Sequence, residues 1–98
     1  MTNVLVSAPY MLPFMDRFTP VLEHFGLHPI IPDVHERLEA EEILRYAGQF
    51  EGTICGDDRY NADVIKACLP ALKVISKWGT GIDSIDKQAA EAMGVRVM

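Results

Sequence analysis

Cysteine, tryptophan and positive charge are scarce in this chain of 98 residues. Its 2 cysteines, Cys55 and Cys68, are too few for a disulfide scaffold and lack the C-x-x-C spacing of a zinc site or redox pair. They read as buried free thiols packed like small hydrophobes. The 9 basic residues are outnumbered by 14 acidic ones, which leaves a net charge of −5. There is no basic run and no aromatic–basic interleaving, so the composition argues against a nucleic-acid partner. No apolar run approaches the roughly 18 residues that a membrane span needs, so no membrane is expected. Met1-Thr2-Asn3 lacks the cationic start of a secretory signal, which makes the cytoplasm the expected location. No linker, repeat or low-complexity tract is visible. The length allows a single domain with a modest core.

What is present is an alternation of short apolar runs and helix-like segments. Asn3–Ser7 reads as a first strand. Phe14, Phe18, Val21, Leu22 and Phe25 then recur at helical spacing across Pro13–Phe25. Pro20 inside that pattern implies either a kink or a regular helix that starts at Pro20 with Thr19 as cap. Leu27–Ile31 is a second strand, Val34–Leu38 is irregular, and Ala40–Ala47 is a helix stopped by Gly48. Thr53–Cys55 is a third strand. Asn61 caps a helix running to about Leu69. Leu72–Ser76 is a fourth strand, Ser84 caps a helix ending near Met93, and Val95–Met98 is a fifth strand.

Strands separated by single helices imply parallel βαβ units with right-handed crossovers. Near-continuous apolar strands suit a sheet covered on both faces. The expected fold is α/β: a flavodoxin-like doubly wound parallel sheet of five strands, order 2-1-3-4-5, lacking the helix after strand 5. Ligands of such sheets bind beyond the carboxyl ends of the strands, at the switch between strands 1 and 3. Ser7–Met11, Gly56–Asn61 and Lys77–Gly81 fall on that rim.

The segment Lys77-Trp78-Gly79-Thr80-Gly81 carries the strongest chemical signal. A strand runs into a glycine-spaced turn and then a helix, which aims backbone N–H groups at one spot. The amides of Thr80 and Gly81 can hold an anion there. The other reading is a tight turn that needs Gly79 and Gly81 for backbone reasons alone, since G-x-G by itself is weak. Lys77 either reaches that anion or is surface charge. Trp78 is either packing or a pocket wall. Asp83 and Asp86 read as acids or, more simply, as carboxylates serving a helix start. In Asp57-Asp58-Arg59, Arg59 could offer charge to an anionic substrate or the aspartates could bind a metal; otherwise this is a solvated loop. A lone Asp pair without further oxygen ligands makes a poor metal site. His24 faces solvent on the first helix, His28 starts a strand and His35 lies in a polar loop. None forms a triad, and no Ser or Cys sits in an elbow motif.

Over Lys77-Trp78-Gly79-Thr80-Gly81-Ile82-Asp83-Ser84-Ile85-Asp86 the chain resembles the NAD-dependent D-isomer-specific 2-hydroxyacid dehydrogenases, and within them the phosphoglycerate dehydrogenases. Asn61-Ala62-Asp63-Val64-Ile65, Leu72-Lys73-Val74-Ile75-Ser76, Ala89-Ala90 and Gly94-Val95-Arg96-Val97 resemble the same family in the same order. The resemblance implies the N-terminal part of a substrate-binding domain, partnered in the intact enzyme by a separate Rossmann domain for NAD. It implies that the Thr80 and Gly81 amides hold the carboxylate of a small anionic hydroxy acid. Lys77 and Trp78 would line the approach, and Gly56–Arg59 would form another wall. Where phosphoglycerate dehydrogenases often carry an arginine, Cys55 stands, with Arg59 further on. The family's G-x-G-x-x-G loop, substrate-orienting arginine, glutamate and acid–base histidine have no counterpart in these residues. The expectation is therefore a truncated or fragmentary chain with no catalytic, cofactor-binding or metal residues of its own, inactive alone. Self-association is expected through the face left uncovered after strand 5, or else disorder of Val95–Met98.

Two other classes share this fold. A phosphoacceptor receiver module wants an acidic pair after strand 1, where Ser7-Ala8-Pro9 stands; Asp57 is its one supporting residue. A flavin-binding electron carrier wants a Ser/Thr/Gly-rich loop there, which Ser7–Pro13 does not resemble.

Overall fold

The computed structural model describes residues 2–34, 37–78 and 84–98. Five strands form one parallel sheet in the order β2-β1-β3-β4-β5: β1 Thr2–Val6, β2 Leu27–Ile30, β3 Gly52–Cys55, β4 Val74–Lys77 and β5 Arg96–Val97. The expected order therefore holds. In register, Leu5 lies beside Thr53 and Thr53 beside Ile75, so these three share one face. On that face Leu5 and Ile75 join Phe50, Tyr60, Val64, Ile65, Leu72, Ala90 and Val95 in the larger core. Helices α2 Ala40–Leu44, α3 Ala62–Ala67 and α4 Lys87–Ala92 bear the residues that close it. The other face pairs Val4 and Val6 with Met11 and Met15, beneath α1 Met15–His24. Burial on both faces is why the strands read as unbroken apolar runs.

Local chemistry sets most boundaries. The Asn61 side chain accepts from the Val64 N–H at 2.9 Å and caps α3 as expected. Gly26 and Gly48 take left-handed backbone, with φ of 77° and 82°, just past α1 and the α2 segment. One open alternative is decided and one expectation is corrected. α1 begins at Met15, so Thr19 is not a cap and Pro20 lies inside the helix. Pro20 has no N–H to give Asp16, and both residues are exposed, so water can serve the orphaned carbonyl. The cap of α4 is Asp86, whose carboxylate accepts from the Ala89 N–H at 3.0 Å, not Ser84. Ser84 is instead drawn into the sheet side by its carbonyl, which accepts from the Tyr60 N–H at 3.0 Å.

Several elements differ in extent. Regular helix in α2 stops at Leu44 and turns carry the chain on to Gly48, while β4 starts at Val74 rather than Leu72. At the far edge β5 pairs with β4, and the Met98 N–H donates to the Ile75 carbonyl at 2.9 Å. Beyond α1 the second face is less covered. An apolar groove there is lined by Val4, Leu27, Gly52, Ile54 and Val74, with Glu51 and Lys73 at its mouth. No helix among the described residues is long and apolar enough to cross a membrane.

Candidate functional site

The carboxyl ends of β1 and β3 lie side by side, and the loops that leave them stay in contact. The Ser7 and Ala8 amides both donate to the Ile54 carbonyl, at 2.9 and 3.2 Å. That brings Pro9 over Gly56, where a Cβ would lie 2.7 Å from the Pro9 Cδ. Only glycine permits so close an approach of ring and backbone. Gly56→Ala is expected to cost about 1–3 kcal/mol by overpacking, read from urea denaturation. An unchanged midpoint would show that the Pro9 ring yields freely.

Beneath this contact lies Asp58, fully buried. The Ser7 hydroxyl donates to its Oδ2. The Leu38 N–H donates to its Oδ1 at 3.0 Å. Burial pushes the Asp58 carboxyl above its ordinary value; the two donors act against the rise without cancelling it. The solvated-loop reading of Asp57-Asp58-Arg59 therefore fails at Asp58. Its carboxylate ties the ends of β1 and β3 to the irregular segment before α2.

Asp57 and Lys77 form the second pair. Lys77 Nζ lies 2.9 Å from Asp57 Oδ1; the lysine side chain is only 4% exposed, the aspartate 72%. The hydrogen bond and charge of Lys77 hold the Asp57 carboxyl below its ordinary value, and the charges of Arg37 and Arg59 add to this. Lys77 is therefore not free surface charge: its stem is buried and its ammonium is engaged by Asp57. Arg59 lies to the side, its Nε 3.9 Å from Glu39 Oε2, while Glu39 Oε1 takes the Arg37 Nε at 3.0 Å. Both aspartates are committed to protein partners. Among the described residues no cluster of three His, Cys, Asp or Glu could hold a metal.

Trp78 is 42% exposed and meets Phe18 edge-on, with ring centroids 6.0 Å apart. It links the end of β4 to α1 while leaving indole surface at the rim. Cys55 and Cys68 are buried free thiols, as expected. Burial, with a contribution from Asp58, pushes the Cys55 thiol up to about 12, so it is no nucleophile at neutral pH. Under the rim, the Tyr60 hydroxyl donates to Thr53 Oγ1 at 3.0 Å, and Thr53 donates to the Leu5 carbonyl at 3.0 Å. Tyr60 also bridges to Ile85, and its carbonyl accepts from the Asp86 N–H at 2.9 Å. The chain re-entering after β4 is therefore laced to the loop after β3.

The structure thus brings Ser7–Met11, Gly56–Asn61 and Lys77–Trp78 to one rim. Gly79, Thr80, Gly81 and Asp83, with His35, lie outside the described residues. His24 and His28 are exposed and away from this rim. Sequence reading missed the Ser7–Asp58 pair. Its one signal was the coincidence of a small hydroxyl and an acid at neighbouring strand ends. A dinucleotide finds no cradle among the described residues: the β1 loop carries Pro9 pressed on Gly56 where a phosphate loop would need open glycine backbone.

Residues 4–98 match the family model described as D-isomer specific 2-hydroxyacid dehydrogenase, catalytic domain. Among solved structures, an NAD+-bound 3-phosphoglycerate dehydrogenase of Entamoeba histolytica is similar at a TM-score of 0.79 and 22% identity, covering 99% of this chain and 32% of that one. A protein of Thermus thermophilus is similar at 0.77 and 30% identity, covering 98% and 29%. The apo D-lactate dehydrogenase of Escherichia coli is similar at 0.72 and 20% identity, covering 99% and 30%. This chain therefore spans 29% to 32% of the length of these solved relatives. No curated protein matches it.

Proposed function

The chain belongs to the D-isomer specific 2-hydroxyacid dehydrogenase family, and from that premise we propose that it supplies the substrate-binding portion of such an enzyme. The reaction is oxidation of a D-2-hydroxy acid to a 2-keto acid with NAD, 3-phosphoglycerate being one candidate substrate. The observation that carries this reading is the match of residues 4–98 to the family's catalytic domain. The rim supports it, because a doubly wound sheet binds its ligand beyond the strand ends, where Lys77 and Trp78 stand.

In this reading the Thr80 and Gly81 amides, in the turn opened by Gly79, hold the substrate carboxylate. Lys77 supplies nearby positive charge, Trp78 walls the approach, and Arg59 lies at the outer margin. The Ser7–Asp58 and Tyr60–Thr53 contacts act through position alone: they fix the loops that carry these groups. NAD supplies the hydride acceptor, and hydride transfer requires it close to the carbinol carbon. These residues provide neither its cradle nor an acid–base pair, so the chain alone is expected to be inactive.

The test titrates the 15N-labelled chain with D-lactate, D-glycerate and 3-phosphoglycerate and follows amide shifts. Shifts concentrated at Thr80, Gly81, Lys77 and Trp78 are expected with at least one acid. No response to any acid overturns the proposal. NAD reduction above the blank by the pure chain would overturn its inactivity.

A further inference from the structure

We propose that this chain forms a two-fold dimer in which Phe25 of each copy fills the apolar groove on the second face of the other. The groove, about 370 Å³, is walled by Val4, Leu27, Gly52, Ile54 and Val74. Gly52 gives it depth, because it puts no side chain between Val4 and Val74, its partners in register. Among the described residues α1 is the one α-helix that packs on this face, and its cluster takes in Val4, Val6 and Ile54 but not Val74. Phe18, Val21 and Phe25 recur at i, i+3 and i+7 and so share one side of α1. Phe18 meets Trp78 at the end of β4, which turns that side toward the uncovered strands. Val21 is 54% exposed and Phe25 72%. The Phe25 ring touches the His24 ring, centroids 5.2 Å apart, and joins neither core.

Plug and socket are neighbours: only Gly26 separates Phe25 from Leu27, a wall of the groove. A two-fold axis passing between them satisfies both at once, since each copy gives one phenylalanine and receives one. Charge fits the same contact. Lys73 stands at the groove mouth and Arg96 shares the Val74 face by register. Neither is in an ion pair among the described residues. Glu51, also at the mouth, already accepts from the Asn3 N–H at 2.7 Å. Glu23, two residues before the plug, is exposed and in no ion pair. The two-fold contact lays Glu23 of each copy beside the other's Lys73, in a chain whose net charge of −5 otherwise opposes self-association. Arg17, the cation on α1, lies 5.9 Å over the Phe14 ring, toward the far end of the helix. One ring and one charge pair per copy make a smaller contact than the roughly 1,600 Å² of a standard interface, so the dimer is weak and reversible.

Sedimentation equilibrium of the chain between about 10 μM and about 1 mM tests this. A reversible monomer–dimer equilibrium is expected within that range. F25S is expected to weaken the dimer at least about tenfold. Its melting temperature at low concentration should match the original, because Phe25 is exposed and joins neither core. K73E and E23K are each expected to weaken the dimer about three- to tenfold, and the double variant to recover most of that loss. A chain that stays monomeric overturns the proposal and leaves the groove to a different occupant. An F25S variant as dimeric as the original overturns it too, and growth past the dimer overturns the two-fold arrangement. A double variant no tighter than either single one overturns the pairing of Glu23 with Lys73 and with it the orientation of the copies.

Discussion

Asp58→Ala is expected to destabilise the fold by about 3 kcal/mol, because it strips the acceptor from two buried donors at once, each worth about 1–3 kcal/mol when orphaned. Those donors are the Ser7 hydroxyl and the Leu38 N–H. For a domain of this size the loss lowers the melting temperature by roughly 15 °C. Asp58→Asn should cost far less. Its carbonyl can still accept from Leu38 and its amide can donate to the Ser7 oxygen. Thermal unfolding of both variants is the measurement, and equal losses would mean that the carboxylate's charge, not its hydrogen bonding, holds the strand ends.

The pH dependence distinguishes the two roles further. Burial raises the Asp58 carboxyl, so the folded chain holds that proton more tightly than the unfolded chain. Its contribution is complete below the ordinary value of 3.8 and is lost as pH rises through the raised native value. Asp57 runs the other way. Its depressed carboxyl stabilises above 3.8, and that contribution is lost as pH falls through the native value. Asp58→Asn should remove the decline above 3.8 and leave the acid-side loss in place. A stability curve unchanged in shape would contradict the buried acid.

Tyr60→Ala is expected to cost about 4 kcal/mol, the range for emptying a fully buried aromatic site. Tyr60 is wholly buried in the larger core, between the end of β3 and the start of α3. Tyr60→Phe keeps the ring and gives up only the bond to Thr53, worth about 1 kcal/mol. Thr53 keeps its own bond to the Leu5 carbonyl, so no donor is stranded on that side. Urea denaturation separates the variants. If phenylalanine costs as much as alanine, the hydroxyl chain rather than ring volume anchors this end of the sheet. The alanine variant should also loosen the rim, since the Tyr60 backbone bridges the segments before and after the candidate site.

Ser84 and Asp58 show where sequence reading stops. Ser84 and Asp86 are both good N-caps by residue type, and either spacing suits the helix that follows. The choice fell to Asp86 because the Ser84 carbonyl is engaged by the Tyr60 N–H, which sets where the chain turns into α4. Asp57-Asp58-Arg59 looks like a solvated loop because three charges in a row ordinarily stay wet. Asp58 is nevertheless buried, by a serine 51 positions earlier and a backbone amide 20 positions earlier. Lys77, at the end of an apolar strand, gives no hint that its stem is covered and its ammonium held.

The sequence by itself determined the five strands and their order, the α3 cap at Asn61, the glycine stops and the two inert thiols. Each follows from residues within a turn or two of one another, or from the rule that parallel strands need crossovers, so local pattern suffices. Only the tertiary structure decided which rim charges are buried, which cation each carboxylate holds and which acid caps α4. Those outcomes depend on groups far apart in the chain meeting at one strand end, where loss of water makes pairing obligatory, and no periodicity records such a meeting.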